Sequence, residues 1–141
     1  MKLKFSNNTN GNSDDLVEKQ VDEFYSEQQP NKPKKVIFIS LPMNGMDPED
    51  IQENLNRAQF EYLRRFNLSV SEVCFKSGLD VYVPAPESLY KLRRRVWHLG
   101  NSIQALAGCN EVFFYGDWEN ARGCRIEWYI CREYGIPYVE V

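Results

Sequence analysis

The chain has 141 residues, of which 43% are hydrophobic and 26% charged, an ordinary globular composition with enough length for a single core. Its 17 Lys and Arg against 20 Asp and Glu leave a net charge of −3, which argues against a dedicated binder of nucleic-acid polymers or anionic membranes. No apolar run approaches the roughly 20 residues that a bilayer demands, and no apolar stretch follows the opening MKLKF. Neither a membrane span nor a secretory signal is therefore read. The 4 cysteines form no CxxC pair and only 1 histidine accompanies them, so no metal site is expected. Cys109, Cys124 and Cys131 sit in apolar contexts, where free thiols behave as small buried hydrophobes; the reading is a reduced, cytoplasmic protein.

In chain order, residues 1–34 read as a polar extension. NNTNGNSDD and EQQPNKPKK are turn-rich and polar, and between them LVEKQVDEFY has the pattern of a short amphipathic helix. The folded domain, residues 35–141, opens with KKVIFIS, a continuous apolar run suited to a strand buried on both faces. From Pro48 a long helical segment, in one piece or two, is predicted towards Lys76, ending at Gly78. LDVYVPAP follows as the second strand. ESLYKLRRRVWHLGNSIQALAGC is predicted helical with a break at Gly100-Asn101. NEVFFYG is the third strand, the last long helix starts near Ala121, and IPYVEV closes the chain as a strand. This alternation predicts an α/β fold with a parallel sheet of about four to five strands flanked by helices.

In such sheets ligands bind beyond the carboxyl ends of the strands, where strand order switches. That rule selects three loops: Ser40 to Asp47, Val83 to Leu89, and Gly116 to Arg122. Ser40, Pro42, Met43 and Gly45 in the first, Pro84 in the second, and Asp117, Trp118, Arg122 and Gly123 at the third become candidate site residues. Gly45 and the following helix N-terminus suit a phosphate or sugar hydroxyls, although a plain strand-to-helix turn uses the same residues. Trp118 suits stacking on a base or packing.

One residue in the last helix stands out. Gly123, Cys124, Glu127, Ile130, Cys131 and Tyr134 share one stripe at core-facing spacing, which puts a carboxylate among apolar neighbours one turn into a cleft helix. Glu127 has two readings. Either it points partly to water or forms a structural ion pair with Arg122, Arg125 or Arg93, or it faces a ligand, where a carboxylate in a dry cleft makes a nucleophile towards an electron-poor carbon.

VIFISLPMNG, GLDVYVPAPE and ALAGCNEVFFYGDWENARGCRIEWYICREYGIPYV together resemble the nucleoside 2-deoxyribosyltransferase-like superfamily, in particular its small bacterial and phage branch with SGPMTG-like and GWExSRGAxxE-like motifs. The similarity covers residues 35–141, and Trp118, Glu119, Arg122, Gly123 and Glu127 match in order and spacing. The resemblance implies a flavodoxin- or Rossmann-like sheet and cofactor-independent chemistry at the N-glycosidic bond of a nucleoside or nucleotide. Glu127 would attack the anomeric carbon, as in retaining glycosidases.

The chain also departs from the family. Where it carries two aspartates in a DxxxLxxCD pattern, Ser102 and Asn110 stand here, so leaving-group protonation lacks its usual donor. Asp117, Glu87 or His98 would have to substitute. Ala121 replaces a serine and Leu41 a glycine. The alternative function is non-catalytic binding or sequestering of a nucleotide-derived small molecule, as a phage or mobile-element protein would do; a third reading is a protein-interaction module. A homodimer or higher homo-oligomer is expected, because Tyr62, Trp97, Trp128 and Tyr129 place more aromatic surface on the helices than one core absorbs.

Overall fold

A computed structural model describes residues 34–140 and Gln20. The expected amphipathic segment LVEKQVDEFY, apart from Gln20, lies outside the described residues. Four strands, β1 (Lys35–Ser40), β2 (Val73–Ser77), β3 (Glu111–Phe114) and β4 (Tyr138–Glu140), form one parallel sheet in the order β2-β1-β3-β4. Three helices, α1 (Pro48–Phe66), α2 (Lys91–Ala107) and α3 (Arg122–Tyr134), connect them. This is the Rossmann- or flavodoxin-like α/β arrangement, with its switch in strand order at β1 and β3.

β1 forms because four successive buried residues, Ile37 to Ser40, are accommodated only where both faces are covered. Its alternation divides the core. Ile37 and Ile39 join Phe113, Val73 and the α1 residues Ile51, Leu55, Ala58 and Tyr62. Phe38 joins Val112 and Phe114 beneath Leu106 of α2 and Cys124 and Cys131 of α3. Each fully buried aromatic or aliphatic side chain here stabilises the fold by about 1.5–3 kcal/mol relative to exposure.

Three sequence expectations are corrected. The first long helix ends at Phe66 rather than near Gly78, because Asn67 adopts a left-handed conformation (φ 52°) and its amide caps Arg64 and Leu63 carbonyls. The second strand is therefore VCFKS, not LDVYVPAP: Val73–Ser77 pair in register with Lys35–Ile39 of β1. Leu79 to Val81 instead belong to a single 3₁₀ turn, Gly78–Val81, fixed by a capping box. There Ser77 Oγ accepts from Leu79 N and Asp80 Oδ2 accepts from Ser77 N. The third expectation, a break at Gly100-Asn101, also fails, since α2 runs unbroken through both residues.

Tyr62, expected among the surplus aromatics, is fully buried. Its ring packs edge-on against Phe113 and Phe75, and its hydroxyl donates to Glu111 Oε1 at 2.7 Å. Asn110 is likewise structural. Its side-chain oxygen accepts from Val36 N at 2.7 Å while its own amide donates to Val36 O at 2.8 Å. That pair extends the β1–β3 ladder at the amino end of the sheet, remote from the loops at the carboxyl edge.

Candidate functional site

The carboxyl end of β1 carries the central polar contact. Ser40 falls in register opposite Phe114 and shares its sheet face, the one covered by α3. From there its Oγ donates to Glu127 Oε1 at 3.0 Å, a buried bond spanning 87 positions. The other carboxylate oxygen, Oε2, is buried without a hydrogen-bond partner. Glu127 retains only 6% of its surface, flanked on its own helix by buried Cys124 and Cys131.

Its environment decides its protonation. Burial pushes the Glu127 carboxyl from its ordinary 4.5 up to about 7, against the Ser40 hydrogen bond, which favours the ionised form. Among the described residues no cation pairs with it. Arg125 instead donates to Glu119 O at 3.1 Å, and the ion pairs among the described residues are Lys35–Glu111, Arg57–Glu53 and Arg64–Glu61. The structural ion-pair reading of Glu127 is thereby overturned. The neighbouring thiols stay protonated: burial raises Cys124 to about 11, and burial with the Glu127 charge raises Cys131 to about 12.

The predicted stripe holds for Cys124, Glu127 and Cys131, but Tyr134 is 79% exposed. Gly123 does not open a ligand space by itself, since a side chain there would meet Leu99 Cδ1 of α2 at 3.8 Å, ordinary packing distance. Ser102 forms another wall on the same helix. Its Oγ lies 3.0 Å from where a Cβ on Gly78 would stand, and Met43 Sδ lies 3.6 Å from that point. A side chain at Gly78 would crowd Ser102 and make it shift, so Ser102, Gly78 and Met43 are brought together by packing that no local pattern signals.

Other candidates disperse. Trp118 is buried, with its ring 5.0 Å from Phe114 and 6.0 Å from Trp128, so its surface serves the core rather than a base. Pro84, Gly45, Glu87 and Arg122 are exposed on their loops or at the start of α3. His98 stacks on Tyr82 at 5.0 Å with Nδ1 buried and unpartnered. No group of three or more His, Cys, Asp or Glu among the described residues could hold a metal ion.

A cleft of about 360 Å³ opens at the β1–β3 switch. It is lined by Leu41, Pro42 and Met46 after β1, Asn54 of α1, and Tyr115 to Asp117 with Asn120 and Ala121 after β3. Gly116, at φ +71°, permits the turn that exposes this third loop. Of the predicted site residues only Pro42 and Asp117 line the cleft; Glu127 does not. The two features meet at the exit of β1, where Ser40 faces Glu127 and the next residue, Leu41, lines the cleft. Within the selected loops sequence reasoning did not single out Met46 or Asn120, and it missed Tyr115, read as part of the third strand, and Asn54 of α1, which carries no motif.

Comparison of the chain with protein-family models, with curated proteins and with solved structures finds no match. The chemistry of the site therefore rests on its own geometry. No helix among the described residues is long and apolar enough to cross a membrane.

Proposed function

We propose that the domain binds a nucleoside, nucleotide or related ribosyl compound at the carboxyl edge of its sheet and cleaves or transfers its N-glycosidic bond through Glu127. The observation carrying this reading is the buried Glu127 carboxylate, paired with no cation among the described residues, with one oxygen held by Ser40 and the other unpartnered. Burying an acid with one oxygen unpartnered costs stability, and perturbed carboxylates concentrate at functional sites. In the proposed step an ionised Glu127 oxygen bonds to the anomeric carbon as the C–N bond breaks. The departing base takes the bonding pair and gains a proton, and water or a second base then displaces the glycosyl ester. Ser102 has no acidic proton to offer. Protonation falls to solvent or to Asp117, and substrates whose base leaves without protonation react fastest.

The test is incubation with nucleosides and nucleotides, including one with a cationic nicotinamide base, following free base and retained ligand by mass spectrometry. Base release, fastest from the cationic substrate and raised for purines by Ser102→Asp, is the expected result. Binding without release from either protein supports the second reading, a non-catalytic binder. The near-complete burial of Glu127 and its absence from the open cleft favour that alternative.

A homo-oligomer in a reducing, cytoplasmic setting completes the proposal. The four cysteines are free. Tyr82, Tyr90, Leu92 and Val96, around the amino-terminal half of α2, are 61–86% exposed, and Tyr129 of α3 is 60% exposed. Such apolar surface commonly marks an interface. Light scattering at micromolar concentration should return at least twice the chain mass of 16.6 kDa; a monomer mass refutes it.

A further inference from the structure

The cleft at the β1–β3 switch has a chemistry distinct from that of Glu127. Its volume of about 360 Å³ falls within the range of small-molecule sites, and its position is the one where open α/β sheets place ligands. Leu41, Pro42 and Met46 supply apolar surface against which a flat ring can lie. Asn54, Asp117 and Asn120 supply the polar edge. Among the described residues no Lys or Arg lines it. Two arginines at this end of the sheet are held elsewhere, Arg94 by the Glu87 and Leu89 carbonyls and Arg125 by the Glu119 carbonyl.

Among the described residues Asp117 is the one charged group on this polar edge. Asp117 Oδ1 accepts from Asn120 Nδ2 at 2.6 Å, which engages one of the two Asn120 amide hydrogens and orients the carboxylate. Among the described residues Oδ2 has no such donor, and Asn54 makes no side-chain hydrogen bond. An ionised carboxylate is acceptor-only. An anionic ligand placed here would face the Asp117 carboxylate with no Lys or Arg among the described lining residues to offset it, whereas an amino group would complete the open acceptor.

We infer that this cleft takes the uncharged, amino-bearing ring of the ligand, the base end rather than a phosphate, with Asp117 as the acceptor that selects it. The inference deepens the proposed function and rests on that reading for the identity of the ring as a nucleobase. It reassigns Asp117 from proton donor to specificity determinant.

The experiment is titration of the full chain with free adenine and with its keto counterpart hypoxanthine, followed by saturation-transfer NMR and calorimetry. Adenine should bind at least about tenfold more tightly. Asp117→Asn, an exposed position that the fold tolerates, should erase that preference while circular dichroism stays unchanged. Equal binding of the two bases, no binding of either at millimolar concentration, or an undiminished preference in Asp117→Asn overturns the inference. The outcomes also separate it from the nucleophile proposal. Adenine-selective binding with no nucleoside cleaved keeps the cleft and removes the chemistry. Cleavage of nucleosides without amino selectivity keeps Glu127 and removes the cleft assignment.

Discussion

Replacing Glu127 by glutamine is expected to lower N-glycosidic turnover by more than about 10⁴-fold, the scale on which removal of a covalent nucleophile acts in other enzymes. Ligand affinity should change by less than about tenfold, or roughly 1.4 kcal/mol. The amide preserves shape and can still accept from Ser40, but it cannot attack carbon. Single-turnover base release in wild type and variant, with ligand binding measured alongside, makes the comparison. A variant that retains full activity removes Glu127 as nucleophile. The pH profile adds an independent check. Burial holds the Glu127 proton up to about pH 7, so kcat/KM should rise as pH increases through that value and level off above it. Ser40 donates to Glu127 and favours its ionised form. Ser40→Ala should therefore move the rise to higher pH, a shift that a purely structural serine would not produce.

Stability should carry the same signature with opposite sign. The Glu127 carboxyl is raised in the folded protein from 4.5 to about 7, so the native state holds its proton more tightly than the unfolded chain does. Below about pH 4.5 both states are protonated and no penalty exists. Between 4.5 and 7 the unfolded chain ionises first, and stability falls until the native carboxyl ionises as well. The full difference corresponds to about 3 kcal/mol. Denaturant unfolding at pH 4.5 and pH 8 should show wild type losing about 3 kcal/mol more than Glu127→Gln over this interval. Any pH-independent cost of burying the amide cancels in the comparison. Equal pH dependence in the two proteins would mean that Glu127 titrates as an ordinary exposed glutamate.

These two expectations meet in a residue whose burial is legible in the amino-acid sequence. The stripe Cys124, Glu127, Cys131 follows from helical spacing alone, and the alternation of apolar runs with amphipathic segments yields a parallel α/β sheet. Both are local patterns repeated within a few residues, and the hydrophobic effect translates them directly into faces and layers. The second strand shows where that logic stops. Val73–Ser77 and the segment from Leu79 to Pro86 have comparable apolar content. Pairing with β1 selects between them, together with Asn67 ending the helix early, and neither is a property of the segment itself.

Contacts between distant segments are decided only in three dimensions. Ser40 reaches Glu127 across 87 positions because β1 and α3 meet on one sheet face, while Arg125, one of the arginines expected as its partner, is held by the Glu119 carbonyl. Asn110, a vacant acid position by motif, is a bridge to Val36 at the opposite end of the sheet. Trp118 packs into the core beside Phe114 and Trp128, placed there by the 3₁₀ turn that follows the Gly116 loop after β3. The cleft opens on the α1 side, with Asn54 and Asp117 lining it from elements that share no sequence motif. Spacing assigns a residue to a face, but which residue lies opposite depends on how helices and strands pack, and that is set by the summed burial of the whole core.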